Sequence, residues 1–270
     1  MSNTAYRQDI QGLRAIAVLA VMTFHLNPVW LPGGFVGVDI FLVISGFLIS
    51  SILLHKNAKP EYQLLSTLNY FYSSRLKRIA PAYFTVLIVV TLLAAVLFLP
   101  ADFATYRGGL KKSAWFNSNS YFATFGDYFA PANHEQPLLH TWSLAIEIQF
   151  YLIAPFVFLL LPKRMLNWLL PSTIVFLTIY AEYRLQQGIE QATYYSLIAR
   201  LPAFFLGAWA ALLIGKSNWI AGGGAKAMVD WTSSKLNRFC INSTQVHRPL
   251  SWHSRAAAHG WGSVDCFAKH

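Results

Sequence analysis

Long apolar runs broken by short polar segments organise residues 1–215 of the 270-residue chain. A helix needs about 20 mostly apolar residues to cross the hydrocarbon core of a bilayer. Six segments approach that length: Leu13 to Val29, residues 35–54, residues 81–99, residues 138–161, Leu166 to Ala181 and Leu197 to Ile214. The stretch at 81–99 carries no charge at all. The pattern predicts an all-α, polytopic transmembrane helix bundle of about six spans, joined by polar segments at residues 31–34, 55–80, 100–137 and 182–196 and a tight turn at Lys163 and Arg164.

Composition agrees. Hydrophobic residues make up 55% and charged residues 12% of the chain, and mean hydropathy is +0.41. Soluble domains carry a charged fraction of roughly 25%. The N-terminal run follows Arg7 as a signal peptide would, but "NPVWLPGG" after it lacks a small-x-small cleavage site, so it reads as an uncleaved first span.

Lys and Arg gather in cytoplasmic loops, which gives an orientation. Residues 55–80 hold Lys56, Lys59, Arg75, Lys77 and Arg78, and the turn after the fourth span holds Lys163 and Arg164. Residues 31–34 hold no charge, and the basic residues of 100–137 are offset by Asp102, Asp127 and Glu135. The expectation is a cytoplasmic N-terminus with the 100–137 segment outside. The net charge of +10 is then a matter of loops rather than of nucleic-acid binding, since no basic patch with interleaved aromatics stands on a soluble fold. Cys240 and Cys266 both fall in the last 55 residues, so neither a disulfide framework nor a metal site is expected.

Ionisable groups inside the spans point to function, because a charge in the bilayer is costly and usually lines a substrate path. In "RAIAVLAVMTFH" Arg14 and His25 stand eleven residues apart. At about 100° and 1.5 Å per residue they share one face, roughly 16 Å apart along the axis. Taken singly, Arg14 also suits a snorkelling anchor and His25 an interfacial site. His140 and Glu147, seven apart in the fourth span, repeat the arrangement with Ser143 between them. Asp39 lies near the outer end of the second span and suits either a helix N-terminal charge or a site role. Gly33-x-x-x-Gly37 reads as a turn, and Trp30, Trp115 and Trp142 as interface anchors.

Four blocks carry a resemblance: "DIQGLRAIAVLAVMTFH", "GGFVGVDIFLVISGFLIS", "FYSSRLKRIAPAYF" and "LLHTWSLAIEIQFY". From about Arg7 to Ile214 the chain resembles the acyltransferase-3 family, integral membrane O-acyltransferases of bacterial surface polysaccharides. The family's Arg-x(10)-His pattern falls on Arg14 and His25. Its paired-Arg, Arg, Pro pattern falls on Ser74, Arg75, Arg78 and Pro81, with Ser74 replacing the first arginine. Its Ser-Leu-x-x-Glu-x-Gln-Phe-Tyr block falls on Ser143, Leu144, Glu147, Gln149, Phe150 and Tyr151.

The resemblance implies transfer of an acyl group, usually acetyl, from a cytoplasmic acyl-CoA to a hydroxyl of a glycan outside the bacterial inner membrane, with O-antigen, peptidoglycan or exopolysaccharide as acceptor and no bound cofactor or metal. A glycan hydroxyl needs a base near neutral pH, and His25 stands on the acceptor side. Donor phosphates need fixed cations, and Arg14, Arg75 and Arg78 stand on the donor side, where a guanidinium fork suits phosphate. Glu147 or Asp39 is expected to orient His25 as the third member of a triad does. A transporter also uses intramembrane charges, but the internal repeats common among transporters are not found.

Residues 216–270 differ. They contain no run of spanning length and no sustained period, and they hold five of the ten net positive charges. Family members carry about ten spans. The tail is read either as a basic solvated segment or, preferably, as an aberrant C-terminus that leaves a non-catalytic fragment.

Overall fold

The computed structural model describes residues 8–57, 63–124 and 136–214, and the tail at 216–270 lies outside them. Among these residues there is no strand. The helices are α1 (Gln8–Leu26), a 3-10 turn (Gly34–Val36), α2 (Gly37–Asn57), α3 (Leu64–Leu97), α4 (Pro100–Ala114), α5 (Ser118–Thr124), α6 (Thr141–Leu160), α7 (Lys163–Gln186), α8 (Glu190–Tyr194) and α9 (Leu197–Ile214). Six of the helical segments are long and apolar enough to cross a membrane.

The largest departure from the sequence reading is α3. Residues 64–80 are helix rather than loop and run without a break into the third span, with Pro81 inside. Thirty-four residues make a rod of about 51 Å, longer than the roughly 30 Å hydrocarbon core, so one end projects beyond it. Proline removes one backbone donor from the helix, a gap that membrane helices tolerate. The basic block Arg75, Lys77, Arg78 is thereby fixed on a rigid rod. The 100–137 segment is likewise partly helical, through α4 and α5.

Lipid tails are as apolar as leucine, so membrane helices associate through close backbone approach at small residues. The α2–α9 pair shows this. A methyl group placed on Gly46 would come within 2.0 Å of the Phe204 carbonyl oxygen, and one on Gly207 within 1.9 Å of the Val43 oxygen. These matched glycines let two helices run parallel in backbone contact. Gly34 and Gly37 do the same for α1, against the carbonyls of Ala20 and Ala17. The "GGFVG" stretch is therefore a turn, as expected, and also a packing surface.

Aromatic rings tie α6 into this core. Phe150 and Phe204 stack at 4.1 Å and 14°, an arrangement worth about 0.5–1.5 kcal/mol beyond area burial. By contrast α1 and the second half of α3 leave Ile16, Leu19, Met22, Val86, Ile88 and Leu92 exposed.

Candidate functional site

Among the described residues, three clusters of ionisable side chains bear on function; the two histidines of the second are exposed. The first is a cavity of about 90 Å³ lined by Arg14 of α1, Ser45 of α2, Arg75 and Arg78 of α3, and Glu147 and Tyr151 of α6. Leu48, Ile49 and Ile79 complete its wall. Glu147 accepts hydrogen bonds from the Ser45 and Tyr151 hydroxyls, both on the same carboxylate oxygen. Arg75 lies over the rings of Phe71 and Tyr151, at 5.8 and 5.9 Å. The Nε atoms of Arg14 and Arg75 are buried without a hydrogen-bond partner. Three guanidiniums against one carboxylate leave the cavity cationic, with donors still to satisfy.

The second group is a histidine pair. His25 of α1 meets His140, the residue just before α6, with ring centroids 4.8 Å apart in an edge-to-face arrangement. His25 Nδ1 lies 2.8 Å from the Val21 carbonyl oxygen. A carbonyl only accepts, so Nδ1 carries the hydrogen and the neutral ring keeps its lone pair on Nε2. Phe24 packs edge-on against His25 at 5.5 Å.

The first and second groups share two helices. Arg14 and His25 stand on α1, and Glu147 and His140 at α6, in matching order along antiparallel axes. Both helices thus contribute to a cationic layer and to an imidazole layer, roughly 16 Å apart along α1 and about 10 Å apart along α6.

The third group is an ion pair. Arg200 Nη1 of α9 donates to Asp39 Oδ1 of α2 at 2.8 Å, and both side chains are less than a tenth exposed. Arg200 Nε donates to the Tyr194 carbonyl, and its guanidinium lies over the rings of Tyr194 at 4.4 Å and Trp142 at 5.6 Å.

The expected triad is corrected by these contacts. Asp39 is committed to Arg200, and Glu147 faces the arginine cavity, so the neighbour of His25 is His140 rather than a carboxylate. Ser143 bonds back to the His140 carbonyl at 3.2 Å instead of bridging toward Glu147. Trp142 is buried against Tyr194 and Tyr195, not an interface anchor, whereas Trp30 and Trp115 are exposed as expected. Ser74, which replaces a family arginine, is exposed and bonds to the Phe71 carbonyl of its own helix, away from the cavity. Sequence reading gave no role to Arg200, Ser45 or Tyr151. Arg200 was detectable: an arginine inside the sixth span requires a partner, and Asp39 inside the second does too.

Comparison with known proteins gives a consistent picture. The profile of the acyltransferase-3 family, described as an acyltransferase domain, matches residues 7–218. The peptidoglycan O-acetyltransferase OatA of Listeria monocytogenes is 42% identical over 163 residues, which are 60% of this chain and 26% of that protein. The O-acetyltransferase OatA of Staphylococcus aureus is 35% identical over 214 residues, 77% of this chain and 34% of that protein. The putative peptidoglycan O-acetyltransferase YrhL of Bacillus subtilis is 43% identical over 153 residues, 56% and 23% of the two chains. The chain thus spans about a quarter to a third of the length of these relatives. No solved structure matches. The matched residues run from the first helix to the last and include every motif block that lines the two layers, and the chain belongs to the acyltransferase-3 family.

Proposed function

We propose that this chain forms the membrane part of an O-acetyltransferase that moves an acyl group from a cytoplasmic acyl-CoA to a glycan hydroxyl, with peptidoglycan as the acceptor class, on the opposite side of a bacterial cytoplasmic membrane. One observation carries the reading: α1 and α6 each contribute to both the arginine cavity and the histidine pair, which stand roughly 16 Å apart along α1. An acyl-CoA has anionic phosphates at one end, a reactive thioester at the other, and a long slender arm between. Arg14, Arg75 and Arg78 suit the phosphates, and the thioester then reaches the level of His25.

At that level His25 Nε2 takes the proton of the glycan hydroxyl as the oxygen attacks the thioester carbonyl. The carbon–sulfur bond breaks, an ester forms, and the proton passes from the imidazolium to the departing thiolate. The products are an O-acyl glycan and a free thiol. The acceptor assignment rests on relatives named for peptidoglycan acetylation. Orientation with the N-terminus in the cytoplasm rests on the Lys and Arg of the 55–80 segment. Cysteines introduced at exposed Ser120 and Ser74 are expected to differ in intact cells, the first reactive to an impermeant maleimide and the second protected; reactivity of Ser74→Cys alone reverses the orientation.

The chemistry is tested in a chimera in which residues 1–215 replace the matching region of the Listeria relative, in a host whose peptidoglycan is unacetylated. Base-labile acetate on isolated peptidoglycan is the readout. His25→Ala is expected to lower it by about 10²–10⁴-fold, the usual range for a general base, with the protein still in the membrane fraction. Acetylation close to the unsubstituted chimera would remove His25 from the base role.

A further inference from the structure

The cationic cavity contains its own anion. Glu147 lies among Arg14, Arg75 and Arg78, yet it makes no ion pair with any of them among the described contacts. Both hydrogen bonds it accepts come from neutral hydroxyls, those of Ser45 and Tyr151. At the same time the buried Nε donors of Arg14 and Arg75 have no acceptor. A carboxylate next to orphaned guanidinium donors would ordinarily take them, because such charge-assisted bonds are about twice as strong as neutral ones.

From this arrangement we propose that Ser45 and Tyr151 are positioning residues that hold the Glu147 carboxylate away from the arginines and so keep the cavity open to an external anion. The inference rests on the donor-site reading above. Tyr151 serves twice: its hydroxyl holds Glu147, and its ring supports the Arg75 guanidinium. Without the two hydroxyls the nearest unsatisfied donors for Glu147 are the guanidiniums. Pairing with them would cancel charge in the cavity and occupy the N–H groups that a phosphate needs. Only the fraction of molecules with an open cavity would bind, and the apparent dissociation constant would rise by the inverse of that fraction.

The test uses the full chain purified in detergent, with coenzyme A and inorganic diphosphate as separate probes and binding measured by calorimetry. The variants are Ser45→Ala/Tyr151→Phe, which keeps the ring beside Arg75, Glu147→Gln, and the triple substitution. If nine molecules in ten close, the double variant binds either probe about tenfold more weakly than wild type. The triple variant, which has no carboxylate to swing inward, returns to the wild-type value or tighter, and its binding shows that the cavity still folds. Glu147→Gln alone binds at least as tightly as wild type. A double variant that binds like wild type overturns the inference and leaves the donor site standing. Weak binding that Glu147→Gln fails to restore also overturns it, since the hydroxyls would then act by holding the helices together. Wild-type protein that binds neither probe overturns the donor-site reading and this inference with it.

Discussion

Arg200 and Arg14 are guanidiniums on apolar helices of one bundle, and their surroundings are opposite. Arg200 has an aspartate at 2.8 Å, a backbone carbonyl on Nε and two aromatic faces. Arg14 has a buried Nε with no acceptor and faces a cavity. A satisfied intramembrane cation joins helices, here α2 to α9. An unsatisfied one is a binding group waiting for an anion. The contrast separates architecture from function better than charge or depth does.

Three perturbations break or sharpen that contrast. The largest is Asp39→Ala. Removing one partner of a buried pair strands the other charge, and about 3–5 kcal/mol of stability is expected to go. Thermal unfolding in detergent measures this, and Asp39→Leu/Arg200→Met should recover most of the loss. Arg14→Met, in contrast, should leave the melting temperature unchanged or raised. Next is Gly207→Ala. Its methyl would meet the Val43 carbonyl oxygen at 1.9 Å, so α2 and α9 must separate, at about 1–3 kcal/mol. Gly188→Ala, at φ 76° with open space around it, is the control: it strains only a connecting turn.

Arg14→Lys is expected to act on function alone. A point charge does not reproduce a guanidinium fork, and the KM for the acyl donor should rise about tenfold with kcat and melting temperature nearly unchanged. A loss of stability instead would place Arg14 with Arg200.

Much of this was legible in the sequence. Hydropathy located all six spans because apolar length is a one-dimensional property, and the last, Leu197–Ile214, has the predicted limits. The helical period put Arg14 and His25 on one face for the same reason. The full length of α3 was hidden because its first turns are amphipathic and charged, and Pro81 mimics a helix start. Partner choice was hidden more deeply. Which carboxylate meets which cation depends on which helices touch, and that is set by Gly46, Gly207, Gly34 and Gly37, whose contacts are tertiary. The sequence alone therefore leaves Asp39 open to His25, whereas its partner is Arg200 of the sixth span. The helical period puts His140 on the Glu147 face, but its 4.8 Å contact with His25 depends on how α1 meets the start of α6.

The central claim is that one donor molecule extends along the α1–α6 face from the arginines to the histidines. The most direct measurement is photocrosslinking with an acyl-CoA analogue whose acyl group carries a diazirine, followed by peptide mapping. The expected labels fall on residues 21–26 or 138–143, and excess coenzyme A removes them, as does Arg14→Met. Competable labelling confined to the arginine cavity, around Ser45 or Tyr151, would put the reacting carbon at the wrong layer and contradict the account.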